Sequence, residues 1–210
     1  MRVACVVDGF NLYRSLKDAI EDGASPSIKW LDIIKVCQSR LKFFGPDACL
    51  GLVTFCTATV GPPQSIRASN QKCYLNVLKA HGVVVKYGHF RNREIRCLKC
   101  GQVFMRQVEK QSDVNASMAI IEALHAGYDG CIVVSGDGDI AAAVESAKKM
   151  YPSSKIMALQ PYGRSVSSMT ASAHLHDKLT IKDYEENQYP RSVCDPLTGI
   201  HIRNRPKSWD

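Results

Sequence analysis

A chain of 210 residues, 45% hydrophobic and 22% charged, carries enough apolar material for one filled core, which excludes a disordered or fibrous protein. No apolar run approaches the roughly 20 residues that span a bilayer, and Met1-Arg2 leads directly into a strand-like segment, so a cytoplasmic protein with no membrane partner is expected. The net charge of +7 permits an anionic partner without requiring one, and seven of the nine cysteines stand singly, several within apolar runs where thiols pack as small hydrophobes.

In chain order, Val3-Ala4-Cys5-Val6-Val7 reads as a buried strand that ends on Asp8-Gly9-Phe10-Asn11-Leu12. After a polar break at residues 22–27, the apolar spacing from Trp30 to Leu41 predicts a helix, Cys49 to Thr57 a strand, and Ser65 to Ala80 a second helix closed by His81-Gly82. Val83-Val84-Val85 begins a third strand. Residues 88–110 then break the pattern: Arg91, Arg93, Arg96, Lys99, Arg106 and Lys110 surround Cys97-Leu98-Lys99-Cys100-Gly101, which predicts an inserted basic loop or hairpin.

The alternation resumes with a helix from Ser112 to His125 and a strand over Cys131 to Val134. The turn Ser135-Gly136-Asp137-Gly138-Asp139 follows, and then an alanine-rich helix. Ile156 to Leu159 reads as a strand, Ser165 to His174 as a helix, and Lys178 to Ile181 as a short strand. Such a sequence of elements predicts a three-layer α/β/α domain over residues 1–183 with a mostly parallel sheet. Residues 184–210, polar and proline-punctuated, are expected to lie over it as a tail.

Carboxylates fall at three separated element ends: Asp8, Asp113, and Asp137 with Asp139. A doubly wound sheet can bring these ends to one crevice. Two carboxylates about 4 Å apart repel by roughly 4 kcal/mol at an effective dielectric near 20, so a gathered set calls for a cation. Oxygen ligands without histidine favour Mg²⁺ or Mn²⁺, whose chemistry suits phosphodiester hydrolysis, and Asn11 beside them can hold a water or a phosphate oxygen. Simpler roles compete, because Asp and Asn are also favoured helix N-caps.

Three segments, Val7-Asp8-Gly9-Phe10-Asn11-Leu12, Glu109 to Asn115, and Val134 to Asp139, resemble in order and spacing the NYN domains, a branch of the PIN-like nuclease superfamily, and within it the bacterial LabA-like proteins. The resemblance covers about Arg2 to Ile181, and Tyr189-Pro190 with Arg205-Pro206-Lys207-Ser208-Trp209 looks like the ending of one bacterial branch. It implies a PIN-like, Rossmann-like fold and a metal-dependent, endonucleolytic ribonuclease. Asp8, Asp113, Asp137 and Asp139 would be its Mg²⁺ or Mn²⁺ ligands, with Asn11 beside them. Where many relatives carry a further acid, this chain has Ala119, and Ile140 stands where an aromatic is usual.

Single-stranded RNA is the expected partner. Clustered Arg91, Arg93, Arg96, Lys99, Arg106 and Lys110 would attract its phosphates, and Phe90 and Phe104 would stack its bases. A catalytically weak RNA-binding module with the same fold is the alternative. A haloacid-dehalogenase-like phosphatase fits less well, because it needs a second acid two residues after its nucleophile and Phe10 stands there. Cys97 and Cys100 have the spacing of half a zinc knuckle, with Cys73, His81, His89 and Cys194 as candidates for the other two ligands. The sequence is compatible with an oligomer.

Overall fold

Val3 to Val7 are buried on both faces, as a central parallel strand requires. They form the middle of a seven-stranded sheet in the computed structural model, which describes residues 1–62 and 64–210 and, at 106 and 107, the backbone alone. The strands are β1 (Arg2–Asp8), β2 (Cys49–Ala58), β3 (Val84–Arg96), β4 (Val103–Lys110), β5 (Gly130–Val134), β6 (Lys155–Gln160) and β7 (Leu175–Lys178), in the spatial order β4-β3-β2-β1-β5-β6-β7. All pairs are parallel except β3 with β4.

Alternate residues of each central strand feed two cores. Val3, Cys5, Val7, Ile132 and Val134 pack against α1 (Gly9–Glu21), α2 (Ile33–Gln38) and α3 (Ile66–Ala80). Ala4, Val6, Cys131 and Val133 pack against α4 (Ser112–His125), α5 (Gly138–Met150) and α6 (Ser167–Ser172) on the other face. This is the three-layer α/β/α arrangement that the alternation predicts. The chain winds outward from β1 to β3 and then returns to add β5 on the other side of β1. The carboxyl ends of β1 and β5 therefore flank the point where the strand order reverses, where open α/β sheets bind ligands. No helix among the described residues is long and apolar enough to cross a membrane.

Several boundaries differ from the sequence reading. The helix expected from Trp30 to Leu41 contracts to α2, with 3₁₀ turns at Pro26–Trp30 and Leu41–Phe43. Its first residues are claimed elsewhere: the Trp30 carbonyl accepts from the Tyr189 N–H, and the Asp32 N–H donates to the Asn187 carbonyl. The short strand expected at Lys178 to Ile181 lies earlier, as β7, and Ile181–Glu186 is instead a helix, α7. A capping box decides this, since Thr180 and Asp183 satisfy each other's backbone N–H groups. The helix expected at Ser165 to His174 is confined to α6.

The boundary between 183 and 184 falls inside α7, and Tyr184 is a core residue whose hydroxyl bonds to Ser15 Oγ (2.7 Å) and accepts from the Tyr162 N–H (3.1 Å). Beyond it, Tyr189 and Trp209 of the tail pack on the buried Trp30 ring, and β8 (Ser192–Cys194) pairs with β9 (His201–Asn204). Folding also joins two thiols that the sequence leaves far apart: Cys5 and Cys37 Sγ are 2.8 Å from each other in the core.

If α7 belongs to the core, Tyr184→Phe leaves the Tyr162 N–H without its acceptor, while Ser15 Oγ still donates to the Tyr162 carbonyl. It should cost about 1–3 kcal/mol, read as a lower urea midpoint at unchanged slope. An unchanged midpoint would return this segment to the tail.

Candidate metal centre

Two of the acids are placed by a backbone need. Asp8 ends β1 and caps α1, its Oδ1 accepting from the N–H groups of Phe10 (3.1 Å) and Asn11 (3.0 Å). Asp137 caps α5, its Oδ1 accepting from the Asp139 N–H at 3.0 Å. Asp113 sits in the first turn of α4. Three helix N-termini, each the positive end of a dipole, thus meet at one place and favour negative charge there. One carboxylate oxygen from each of Asp8, Asp113 and Asp137 lies within 4.8 Å of the others.

Two further side chains tie these ends together. Ser135, fully buried, donates from Oγ to Asp8 Oδ2 (3.0 Å) and accepts at the same atom from the Asp137 N–H (3.0 Å). Asn11 Oδ1 accepts from the Gly136 N–H at 2.9 Å, which joins the β1–α1 turn to the β5–α5 turn and leaves its amide nitrogen without a partner among the described residues. Capping after Gly9 falls to Asp8, so Asn11 is not the cap. A Cβ at Gly136 would run into the Arg164 carbonyl, which explains a glycine at this point of the turn.

The electrostatics oppose ionisation. Burial, and then the charges of Asp113 and Asp137, push the Asp8 carboxyl up to about 6 despite the Asn11 N–H and Ser135 hydrogen bonds. Asp113 is also raised, by burial first and then by Asp137, Glu109 and Asp139. Among the described residues no Lys or Arg forms an ion pair with Asp8, Asp113, Asp137 or Asp139. Three mutually repelling oxygens without a cationic partner suit a hard divalent cation, so the triad could hold a metal ion.

A cleft of about 680 Å³ opens over the triad. Its floor is Asp8, Asn11, Asp113 and Asp137, and Phe10 and Arg14 of α1 form one wall. The opposite wall is the β3–β4 hairpin, including Phe90, Arg93, Arg96 and Glu109. Phe90 meets Phe10 edge to face at 5.8 Å between centroids. Gly88 makes the hairpin's departure feasible, because a Cβ there would strike the Lys110 carbonyl. At the hairpin's return, Gln111 adopts a left-handed φ of 78°, costing about 1 kcal/mol, while Glu109 Oε1 accepts from the Ser112 N–H (2.9 Å) and so caps α4.

Of the expected site residues, Asp8, Asn11, Asp113 and Asp137 converge. Asp139 stays outside the triad, exposed on the first turn of α5. Arg93 and Arg96 line the cleft, whereas Arg91, Lys99 and Lys110 are exposed on the hairpin away from its lining. The Arg106 side chain lies outside the described residues. Glu122 pairs with Lys86, away from the acids, and Ala119 is buried against the second core.

Cys97 and Cys100 both sit at the hairpin tip, but among the described residues the ligands expected to complete a zinc site do not join them. Cys73 bonds to the Asn204 carbonyl, His81 packs on Tyr189, and His89 faces Gln111. Among the described residues the acid triad is the sole group of three or more metal-ligating side chains. Sequence reasoning assigned no role to Ser135, Arg14 or Glu109. Only Ser135, between a strand and two acids, carried a local signal.

Because Asp8 is raised above its unfolded value near 3.8, the folded protein keeps this proton longer than the unfolded chain does. Metal-free stability should therefore fall by roughly 2–3 kcal/mol as pH rises from about 4 through about 6, and Asp8→Asn should flatten that slope. Mn²⁺ should bind more tightly over the same rise, as the competing proton leaves. Denaturant melts at pH 5 and 7.5 with chelator, with Mn²⁺ titrations at both, check this; a pH-independent affinity would contradict it.

No family model matches the chain, and no curated protein matches it. Among solved structures it is similar to the crystal structure of a protein of unknown function from Vibrio parahaemolyticus, at a TM-score of 0.56 and 18% identity, over 85% of this chain and 93% of that one. That likeness is one of fold.

Proposed function

We propose that the chain is a metal-dependent ribonuclease of the NYN branch of the PIN-like nucleases, cutting single-stranded RNA internally at the carboxyl edge of the sheet. The observation that carries the reading is the convergence of Asp8, Asp113 and Asp137 from three separate elements, without a cationic partner, beneath an arginine-bearing hairpin.

Asp8, Asp113 and Asp137 would hold Mg²⁺ or Mn²⁺. Such an ion, when bound, makes its water a stronger nucleophile and offsets charge on the attacked phosphate. Asn11, held through its Oδ1 by Gly136, offers its amide nitrogen as a donor to a phosphate oxygen. Arg14, Arg93 and Arg96 give the cleft walls the positive charge that draws in a phosphate backbone. Phe104, about half exposed, and the edge-clamped Phe90 offer ring faces to unstacked bases. Asp139, outside the triad, acts through solvent in this scheme.

Magnesium-dependent cleavage of a single-stranded RNA, lost with chelator and lowered at least a hundredfold by Asp137→Asn, is the expected result. Asn also caps helices well, so that variant should melt within about 0.5 kcal/mol of the parent. Arg93→Ala with Arg96→Ala should weaken RNA binding and reduce the steepness of its salt dependence by about two phosphate contacts. A second reading, a weakly catalytic RNA-binding module, is favoured by the displacement of Asp139 and by Ala119. It predicts salt-dependent RNA binding with no cleavage in either metal.

A further inference from the structure

Beyond Arg96, the turn of the β3–β4 hairpin takes no part in the acidic cleft. From His89↔Lys110 to Arg96↔Val103 the two strands pair only with each other, carrying the turn over roughly 25 Å of strand beyond β2. The turn itself is tightly built. The Cys97 N–H donates to the Gln102 carbonyl (2.8 Å), the Gly101 N–H donates to the Cys97 carbonyl (2.9 Å), and Gly101 takes a left-handed φ of 71° that reverses the chain. Cys97 and Cys100 are both carried by this turn, Cys97 half-buried and Cys100 exposed. Two thiols three residues apart on one tight, hydrogen-bonded turn make a ligand pair for a soft, tetrahedral metal.

Zinc held structurally takes four ligands, and among the described residues no third Cys, His, Asp or Glu joins these two. The deficit is two, the number the turn supplies. Around the pair, Leu98, Val103 and Met105 are exposed, Leu98 completely, an apolar cluster at the tip of an otherwise basic hairpin. A two-fold axis through the metal would complete the coordination with the same turn of another copy and cover this cluster.

We propose that Cys97 and Cys100 are half of an interchain zinc site, so that one Zn²⁺ clasps two copies of this chain hairpin tip to hairpin tip. Four thiols give up their protons as four Zn–S bonds form, leaving a tetrathiolate centre of net charge −2. Arg96 and Lys99 of the two copies place four positive charges around it. The inference is independent of the ribonuclease reading. Its one bearing on the cleft is that Arg96, beside the clasp, also lines the acidic site.

The test uses the full chain purified in a non-thiol reductant, with zinc content measured and mass determined by sedimentation. The expected result is half an equivalent of zinc per chain in a dimer that becomes monomeric with a chelator and re-forms on adding zinc. Co²⁺ in its place should show the intense visible and near-ultraviolet bands of tetrahedral thiolate ligation, which an oxygen site such as the acid triad does not give. Cys100→Ser should be monomeric and lack those bands while melting as the parent does with chelator. A monomer with a full equivalent of thiolate-bound metal would overturn the proposal. So would absence of thiolate-bound metal, or a dimer that survives both chelator and Cys100→Ser.

Discussion

Mutual repulsion among Asp8, Asp113 and Asp137 is the cost around which this fold is arranged. Ionised oxygens within 4.8 Å of one another repel by roughly 3–4 kcal/mol per pair at an effective dielectric near 20. Asp8 and Asp137 are held there by hydrogen bonds the backbone needs anyway, and Asp113 by its place in the first turn of α4. Asp8 and Asp137 each commit one oxygen to a helix cap, and Ser135 bridges the two turns. Cap and ligand are therefore compatible roles, because a carboxylate has two oxygens and a cap occupies one.

This placement depends on topology more than on local chemistry. The reversal of strand order at β1 and β5 sets two carboxylates side by side, and the hairpin's return through Gln111 delivers α4 and Asp113 as the third. The insertion that breaks the strand-helix alternation thus has two ends with different tasks. Its base aims an acid and forms a cleft wall, while its tip carries a cysteine turn and exposed apolar residues. Gly88 separates these tasks from the parallel sheet, since only a residue without Cβ lets β4 pass so close.

Much of this was legible in the sequence. Apolar runs such as Val3 to Val7 and Cys131 to Val134 are buried on both sides, so length and flanking turns identified them as central strands and the acids after them as neighbours. What stayed hidden depends on long-range contacts. The helix from Trp30 onward was shortened by the tail, whose Asn187 and Tyr189 claim backbone groups more than 150 residues away in sequence. The burial of Tyr184 was hidden because it stands in a polar segment, yet its hydroxyl is satisfied by Ser15 and Tyr162. Arg14 gave no signal at all, being one basic residue on an amphipathic helix whose start happens to face the acids. Asp139 reads as equivalent to Asp137 by spacing, but a two-residue step across a helix start turns its side chain away from the triad.

The central claim is that the triad is a metal site, and anomalous scattering from crystals grown with Mn²⁺ tests it most directly. The account predicts a peak bounded by Asp8, Asp113 and Asp137, with Asp139 outside direct coordination and the peak lost in Asp137→Asn. Saturating Mn²⁺ with no anomalous density at the triad, or density centred on Asp139 and away from Asp8, would contradict it.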